Sequence, residues 1–179
     1  MNEEVVAKVV RRVVDELDRA KPASRAALPA EWPPRTVALG ADHGGFVLKD
    51  DLKRYVEAKG YAVVDCGTGS TESCDYPDFA ARVGALVRDG QCEAGIVIDT
   101  AGIGSSMAAN KIRGVRCALC HDVASVLNGR EHNDANVLAL GAKVVPAALA
   151  RRMADLFLST RHLGDRHLRR VKKIAELEG

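Results

Sequence analysis

The chain is poor in aromatic residues: three Phe, three Tyr and one Trp make up 4% of 179 residues. Ala, Val, Leu and Gly carry the apolar load, which suits helices packed closely on a parallel sheet and argues against a β-sandwich. No run of apolar residues is long enough to span a bilayer. A secretory signal is also missing, because acidic residues open the chain and charge interrupts the N-terminal valines. Cysteine is sparse and odd in number, five in all, so the expectation is a cytoplasmic protein with reduced thiols and no disulfide framework. Net charge is only +2, with both signs spread along the chain, which leaves no footprint for nucleic acid. A phosphorylated small molecule needs only a few local cations and stays open. What is present, 47% hydrophobic and 28% charged residues, is enough to build one ordinary globular core.

Three segments are visible. From Met1 to Ala20, the apolar positions Val5, Val6, Val9, Val10, Val13, Val14 and Leu17 fall on one half of a helix. A helix this short is marginal alone, so its valine face needs a partner. Residues 21–35 hold Pro22, Pro29, Pro33 and Pro34 among alanines and read as a linker. Residues 36–179 alternate strand and helix patterns. Strands are expected at Thr36–Ala41, Tyr61–Asp65, Ala94–Ile98, Val115–Leu119 and Val137–Leu140. Helices are expected after Gly45 through Lys59, over Asp78–Arg88, from about Ser105, over Val123–Glu131, from Pro146 through Ser159, and over Arg166–Glu178. The fold class is α/β: a Rossmann-like three-layer fold with a five-stranded parallel sheet. Ligands of such sheets sit at the carboxyl ends of the strands.

Four polar motifs stand out. Asp42-His43-Gly44-Gly45 ends the first strand, where glycines let the backbone turn and a helix start favours an anion. The plain alternative is an Asp helix cap beside an incidental His. Asp99-Thr100-Ala101-Gly102-Ile103-Gly104-Ser105 follows a buried strand, and its backbone N–H groups suit an oxyanion or phosphate. It is no dinucleotide fingerprint, since Met107 stands three after Gly104, and no Gly-Lys-Ser/Thr follows it. His132-Asn133-Asp134 precedes the fifth strand and reads as turn chemistry or as an acid/base group. Arg166 and Arg170 share a helix face suited to phosphate, although a solvated basic face is the commoner reason for such a run. Cys117-Ala118-Leu119-Cys120-His121 imitates a haem-attachment motif. It lies on an expected strand with its cysteines on opposite faces, so neither haem nor zinc is expected.

In this order and spacing the motifs resemble ribose-5-phosphate isomerase B and its relatives, the galactose-6-phosphate isomerase subunits. The carrying segments are 41–46, Asp75-Tyr76-Pro77, Gly102-Ile103-Gly104 with Ala108-Ala109-Asn110-Lys111, 130–138, and Arg166-His167 with Arg170. The resemblance implies isomerisation of ribose 5-phosphate to ribulose 5-phosphate through a cis-enediol, without metal or cofactor. It also implies a homodimer with active sites shared between subunits, or a tetramer built from it. By position, His132 would open the sugar ring and Asp42 would hold the open chain by its hydroxyls. His43, Arg166 and Arg170 would bind phosphate, and Tyr76 would line the pocket. Asn133 and the backbone of Gly102, Ile103 and Gly104 would stabilise the enediolate.

One departure bears on the chemistry. Many family members carry a cysteine base where this chain has Asp99, and another branch uses a glutamate at the position of Ser105. A buried carboxylate is a chemically reasonable base for a proton beside a carbonyl, so Asp99 is expected to move the proton between C2 and C1; the alternative is that it only caps the next helix. Thr100 and Ala101 also depart from the commoner Gly-Thr pair, which leaves a four- or six-carbon sugar phosphate as an alternative substrate. A binding protein without catalysis is the alternative of another class. Met1 to Ala20 lies outside the family pattern. Followed by its linker, it resembles the encapsulation peptides that dock enzymes to the shells of bacterial microcompartments.

Overall fold

The computed structural model describes residues 32–179. The amphipathic segment Met1 to Ala20 and most of the proline-rich linker lie outside the described residues. Five strands, β1 (Thr36–Ala41), β2 (Ala62–Asp65), β3 (Ala94–Asp99), β4 (Cys117–Leu119) and β5 (Val137–Gly141), form one parallel sheet in the order β2-β1-β3-β5-β4. Six helices connect or follow them: α1 (Phe46–Ala58), α2 (Tyr76–Arg88), α3 (Ile103–Ala109), α4 (Val123–Asn133), α5 (Ala147–Ser159) and α6 (Asp165–Glu176).

Side chains alternate across a strand, so each buried strand feeds two cores. Val37, Leu39, Ile96, Ile98, Leu138 and Leu140 face one layer, where Leu52 and Val56 of α1 and Met153 and Phe157 of α5 pack on them. Ala38, Val97, Val137 and Ala139 face the other, under Ala80 and Val83 of α2 and Ala109 of α3. This is the expected three-layer fold, and the small residues on the second face let α2 and α3 lie close to the sheet. Cys117 and Cys120 fall into opposite cores, as their odd spacing requires. α6 lies outside these layers and packs on α4.

Most boundaries agree with the sequence within one or two residues, and the exceptions have local causes. The fourth strand is shorter than expected, Cys117–Leu119, because Val115 closes a turn by donating to the Ile112 carbonyl. Helix α2 begins at Tyr76 because Pro77 occupies its first turn, where the missing N–H costs nothing. His132 and Asn133, expected in a loop, form the last turn of α4. The helix ends one residue later, where Asp134 turns left-handed at φ 48°.

Candidate active site

The chain passes from β1 outward to β2 and returns to β3 on the other side of β1. The order therefore reverses between β1 and β3, and in sheets of this kind the ligand crevice lies at the carboxyl ends of the strands at that switch point. The loops after these two strands carry the first two polar motifs. Asp42 is buried, and its Oδ1 accepts from the Gly45 N–H at 3.0 Å. His43 is half-buried, with Nδ1 3.1 Å from the Cys74 carbonyl oxygen, 3.2 Å from the Cys74 nitrogen and 4.0 Å from Asp42 Oδ2. The two loops touch: a Cβ on Gly44 would collide with Thr100 Oγ1.

Asp99 ends β3 and is buried. Its Oδ1 accepts from the N–H groups of Ala101, at 2.8 Å, and Gly102, and its Oδ2 from Ser105 at 2.8 Å. The side chain thus does the work of a helix cap for α3 from three residues before Gly102. Among the described residues Oδ2 takes no second hydrogen bond, so one of its lone pairs is left uncommitted. Gly102 holds φ 82°, a conformation that a residue with a Cβ rarely adopts, and this turns the loop into the helix. Tyr76, 39% exposed, lays its ring over the next turn: a Cβ on Gly104 would lie 2.5 Å from Tyr76 Cε2 and Cζ. Asp42, His43, Tyr76, Asp99 and the Gly102, Ile103 and Gly104 backbone are therefore brought together.

His132, Asn133, Arg166 and Arg170 form a second group. α4 descends from the carboxyl end of β4 to the amino end of β5, so its last turn sits at the opposite end of the sheet from Asp99. The length of the six-residue β3, roughly 17–20 Å at the usual rise per strand residue, separates the two groups within one chain. The His132 ring stacks on His167 of α6 at 4.1 Å between centroids and 2° between planes. His162 meets His167 edge-on at 6.5 Å. Asn128 Nδ2 lies 2.9 Å from His132 Nδ1, and Asn133 Nδ2 lies 3.1 Å from both Asn128 O and Asn128 Oδ1. Arg166 Nε approaches His167 Nε2 at 3.3 Å. Burial, helped by the nearby His132, Arg166, Arg170 and His162, pushes the His167 pKa below its ordinary value. Arg166 and Arg170 are both exposed on α6.

Two contributors escaped the sequence reading. Asn128 was legible only as a residue four before His132, the spacing at which helix side chains meet. Lys49 is 3% exposed, with Nζ 2.8 Å from Asp65 Oδ2 and 3.3 Å from Asp50 Oδ1. It ties the first turn of α1 to the end of β2 beside the crevice. Its position in an ordinary helix pattern gave no sign of burial.

A doubly wound sheet with carboxylates and a glycine-rich cradle at its switch point, and a separate histidine–arginine cluster, has the makings of a sugar-phosphate isomerase of the aldose–ketose kind. The comparisons agree. The chain belongs to the ribose/galactose isomerase family, whose model matches residues 37–174. It is 40% identical over 144 residues to the ribose-5-phosphate isomerase B of Escherichia coli (strain K12), covering 80% of this chain and 97% of that one. It is 35% identical over 144 residues to the D-erythrulose-4-phosphate isomerase of Pectobacterium atrosepticum, covering 80% and 95%. Among solved structures, ribose-5-phosphate isomerase B of Clostridium thermocellum superposes with a TM-score of 0.79 at 45% identity, over 80% of this chain and 97% of that one.

Proposed function

We propose that this protein interconverts ribose 5-phosphate and ribulose 5-phosphate through a cis-enediol, in a site completed by a second copy of the chain. The observation that carries the reading is the pair of buried carboxylates, Asp42 and Asp99, at the β1/β3 switch point beside the Gly102 loop. Relatives named for ribose 5-phosphate, at 40% and 45% identity, support the choice of sugar. A structure of the Mycoplasma genitalium relative with bound ribulose-5-phosphate, at 35% identity and a TM-score of 0.77, supports it further.

In this reading Asp42 holds the open-chain sugar by its hydroxyls. The uncommitted lone pair of Asp99 Oδ2 takes the proton from C2 and returns it to C1. The Gly102–Gly104 loop, through the N–H groups of Ile103 and Gly104 since that of Gly102 donates to Asp99, and one N–H of Asn133 stabilise the enediolate oxygen; the other N–H is shared between Asn128 O and Oδ1. His132 assists ring opening, and His43, Arg166 and Arg170 bind the phosphate. Because the two groups lie at opposite ends of one sheet, the arginines and His132 reach the crevice only from a partner chain. A homodimer places both groups at each of two sites. Residues 1–20 would act as an encapsulation peptide, directing the cytoplasmic enzyme into a microcompartment.

Proton NMR of ribose 5-phosphate with the protein in D2O tests the reaction. Ribulose 5-phosphate with deuterium at C1 is expected. Asp99→Asn should abolish it and Asp99→Cys should restore part of it, since a thiolate replaces the base. Turnover surviving in Asp99→Asn would leave Asp99 a helix cap only. A second reading, a four-carbon substrate, is favoured by the Pectobacterium relative and by Thr100 and Ala101. Preferential turnover of erythrulose 4-phosphate in the same assay would select it.

A further inference from the structure

His132 belongs to a hydrogen-bonded chain that starts from an atom of unambiguous character. Asn133 Nδ2 lies 3.1 Å from the main-chain oxygen of Asn128. A carbonyl only accepts, so the Asn133 group facing it is the NH2. The same NH2 lies 3.1 Å from the Asn128 side chain, whose facing atom must then be the amide oxygen. The Asn128 NH2 accordingly points the other way, to His132 Nδ1 at 2.9 Å. An amide NH2 only donates, so Nδ1 carries a lone pair and the neutral ring keeps its proton on Nε2.

The other side of the ring is fixed as well. His167 stacks parallel on it, 2° out of plane. Arg166 Nε can only donate, so His167 Nε2, 3.3 Å away, accepts and His167 holds its own proton on Nδ1. Besides His132, the titratable and charged groups that act on His167 are His162, Arg166 and Arg170. All are neutral or cationic, and none favours a second proton on His167.

We propose that Asn128 is a positioning residue: it locks His132 in the Nε2–H tautomer, so that the imidazole meets the substrate as a hydrogen-bond donor and not as a base. The inference rests on the sugar-phosphate isomerase reading and deepens it. During ring opening the bond between C1 and the ring oxygen breaks and the C1 carbonyl forms. The proton of the anomeric hydroxyl passes through a water molecule to the ring oxygen. His132 Nε2–H donates to that oxygen as charge builds there, and keeps its proton throughout. Protonating Nδ1 would set its N–H against the N–H of Asn128.

The test uses the 15N-labelled full chain and long-range proton–nitrogen spectra of the histidine rings, with the His132 signals assigned by their loss in His132→Gln. Asn128 is exposed, and Asn128→Leu and Asn128→Asp should both fold. The wild type should show a lone pair on Nδ1 and the proton on Nε2, and Asn128→Leu should show a mixture of tautomers. In Asn128→Asp the new carboxylate accepts from Nδ1–H and favours the imidazolium. The acid limb of kcat/KM for ribose 5-phosphate should then move up by about one pH unit. The kcat should fall roughly tenfold at pH well below that limb but only about two- to threefold at pH 7, with KM nearly unchanged. An unchanged tautomer in Asn128→Leu, or superimposable pH profiles for wild type and Asn128→Asp, would overturn the proposal. Failure of the wild type to turn over any sugar phosphate would instead sink the isomerase reading, while the spectra would still decide the tautomer.

Discussion

Arg130 Nη1 sits 3.0 Å from Asp134 Oδ1 inside the protein, one turn apart across the end of α4. Arg130 is 1% exposed and Asp134 4%. The guanidinium also donates to the carbonyls of Ala135, at 2.6 Å, and Thr160, at 3.1 Å, and its Cζ lies 3.6 Å from the Trp32 ring centroid. Arg116 Nη2 reaches the other Asp134 oxygen at 2.8 Å. Removing one partner of a buried pair leaves uncompensated charge, so Asp134→Ala should cost about 3–5 kcal/mol in chemical denaturation. Asp134→Asn tolerates the left-handed backbone and keeps one acceptor, and should cost clearly less. Equal losses would show that charge pairing and backbone tolerance contribute little at this corner.

The contact between Gly104 and Tyr76 predicts a functional change with little loss of stability. A methyl at Gly104 meets the end of a partly exposed ring, which can swing away. Gly104→Ala should therefore leave Tm within a few degrees but raise KM, because the ring leaves the pocket wall. In a Tyr76→Ala background the same change should add little, as expected for two residues acting through one contact. Additive effects would separate Tyr76 from the Gly104 turn.

The thiols should differ sharply in reactivity. Burial pushes the Cys66 pKa up to about 11 and that of Cys117 up to about 12. At pH 8 the thiolate fraction of Cys66 is then about one in a thousand. Cys92 and Cys120 are buried, whereas Cys74 is half-exposed in the loop that holds His43. Mass spectrometry after brief treatment with iodoacetamide at pH 8 should find Cys74 alkylated and Cys66 and Cys117 untouched until the protein unfolds.

His167 should make stability depend on pH. Its pKa is depressed in the fold, so below the unfolded value of about 6.5 the unfolded chain binds a proton that the native state refuses. The contribution of His167 is complete above that value and is lost as pH falls toward the lower folded pKa. Thermal melts from pH 7.5 to 5 should show a decline that is shallower in His167→Gln. Parallel curves would place the acid sensitivity elsewhere.

The sheet was legible because strand runs such as Ala94–Ile98 and Val137–Leu140 are apolar, short and bounded by turn residues. The individual site residues were legible as types at strand ends. Their partition was harder to see. That His132 ends a helix instead of standing in a loop follows from Asp134 reaching the left-handed region under the grip of Arg116 and Arg130. The burial of Lys49 and the orientation of Asn128 depend on partners that no periodicity encodes. The place of Asp99 at a strand end allows a base or a helix cap, and the fold shows three backbone N–H groups engaging it.

The separation of Asp99 from His132 across the sheet can be tested by mixing two inactive proteins. Asp99→Asn and His132→Asn are each purified, unfolded together in equal amounts and refolded, and ribulose 5-phosphate formation is measured beside wild type. Random pairing makes half the dimers mixed, and each mixed dimer contains one intact site of two, so the mixture should regain about a quarter of wild-type activity. No recovery, with both variants folded and pairing confirmed by mass spectrometry, would contradict a site built from two chains.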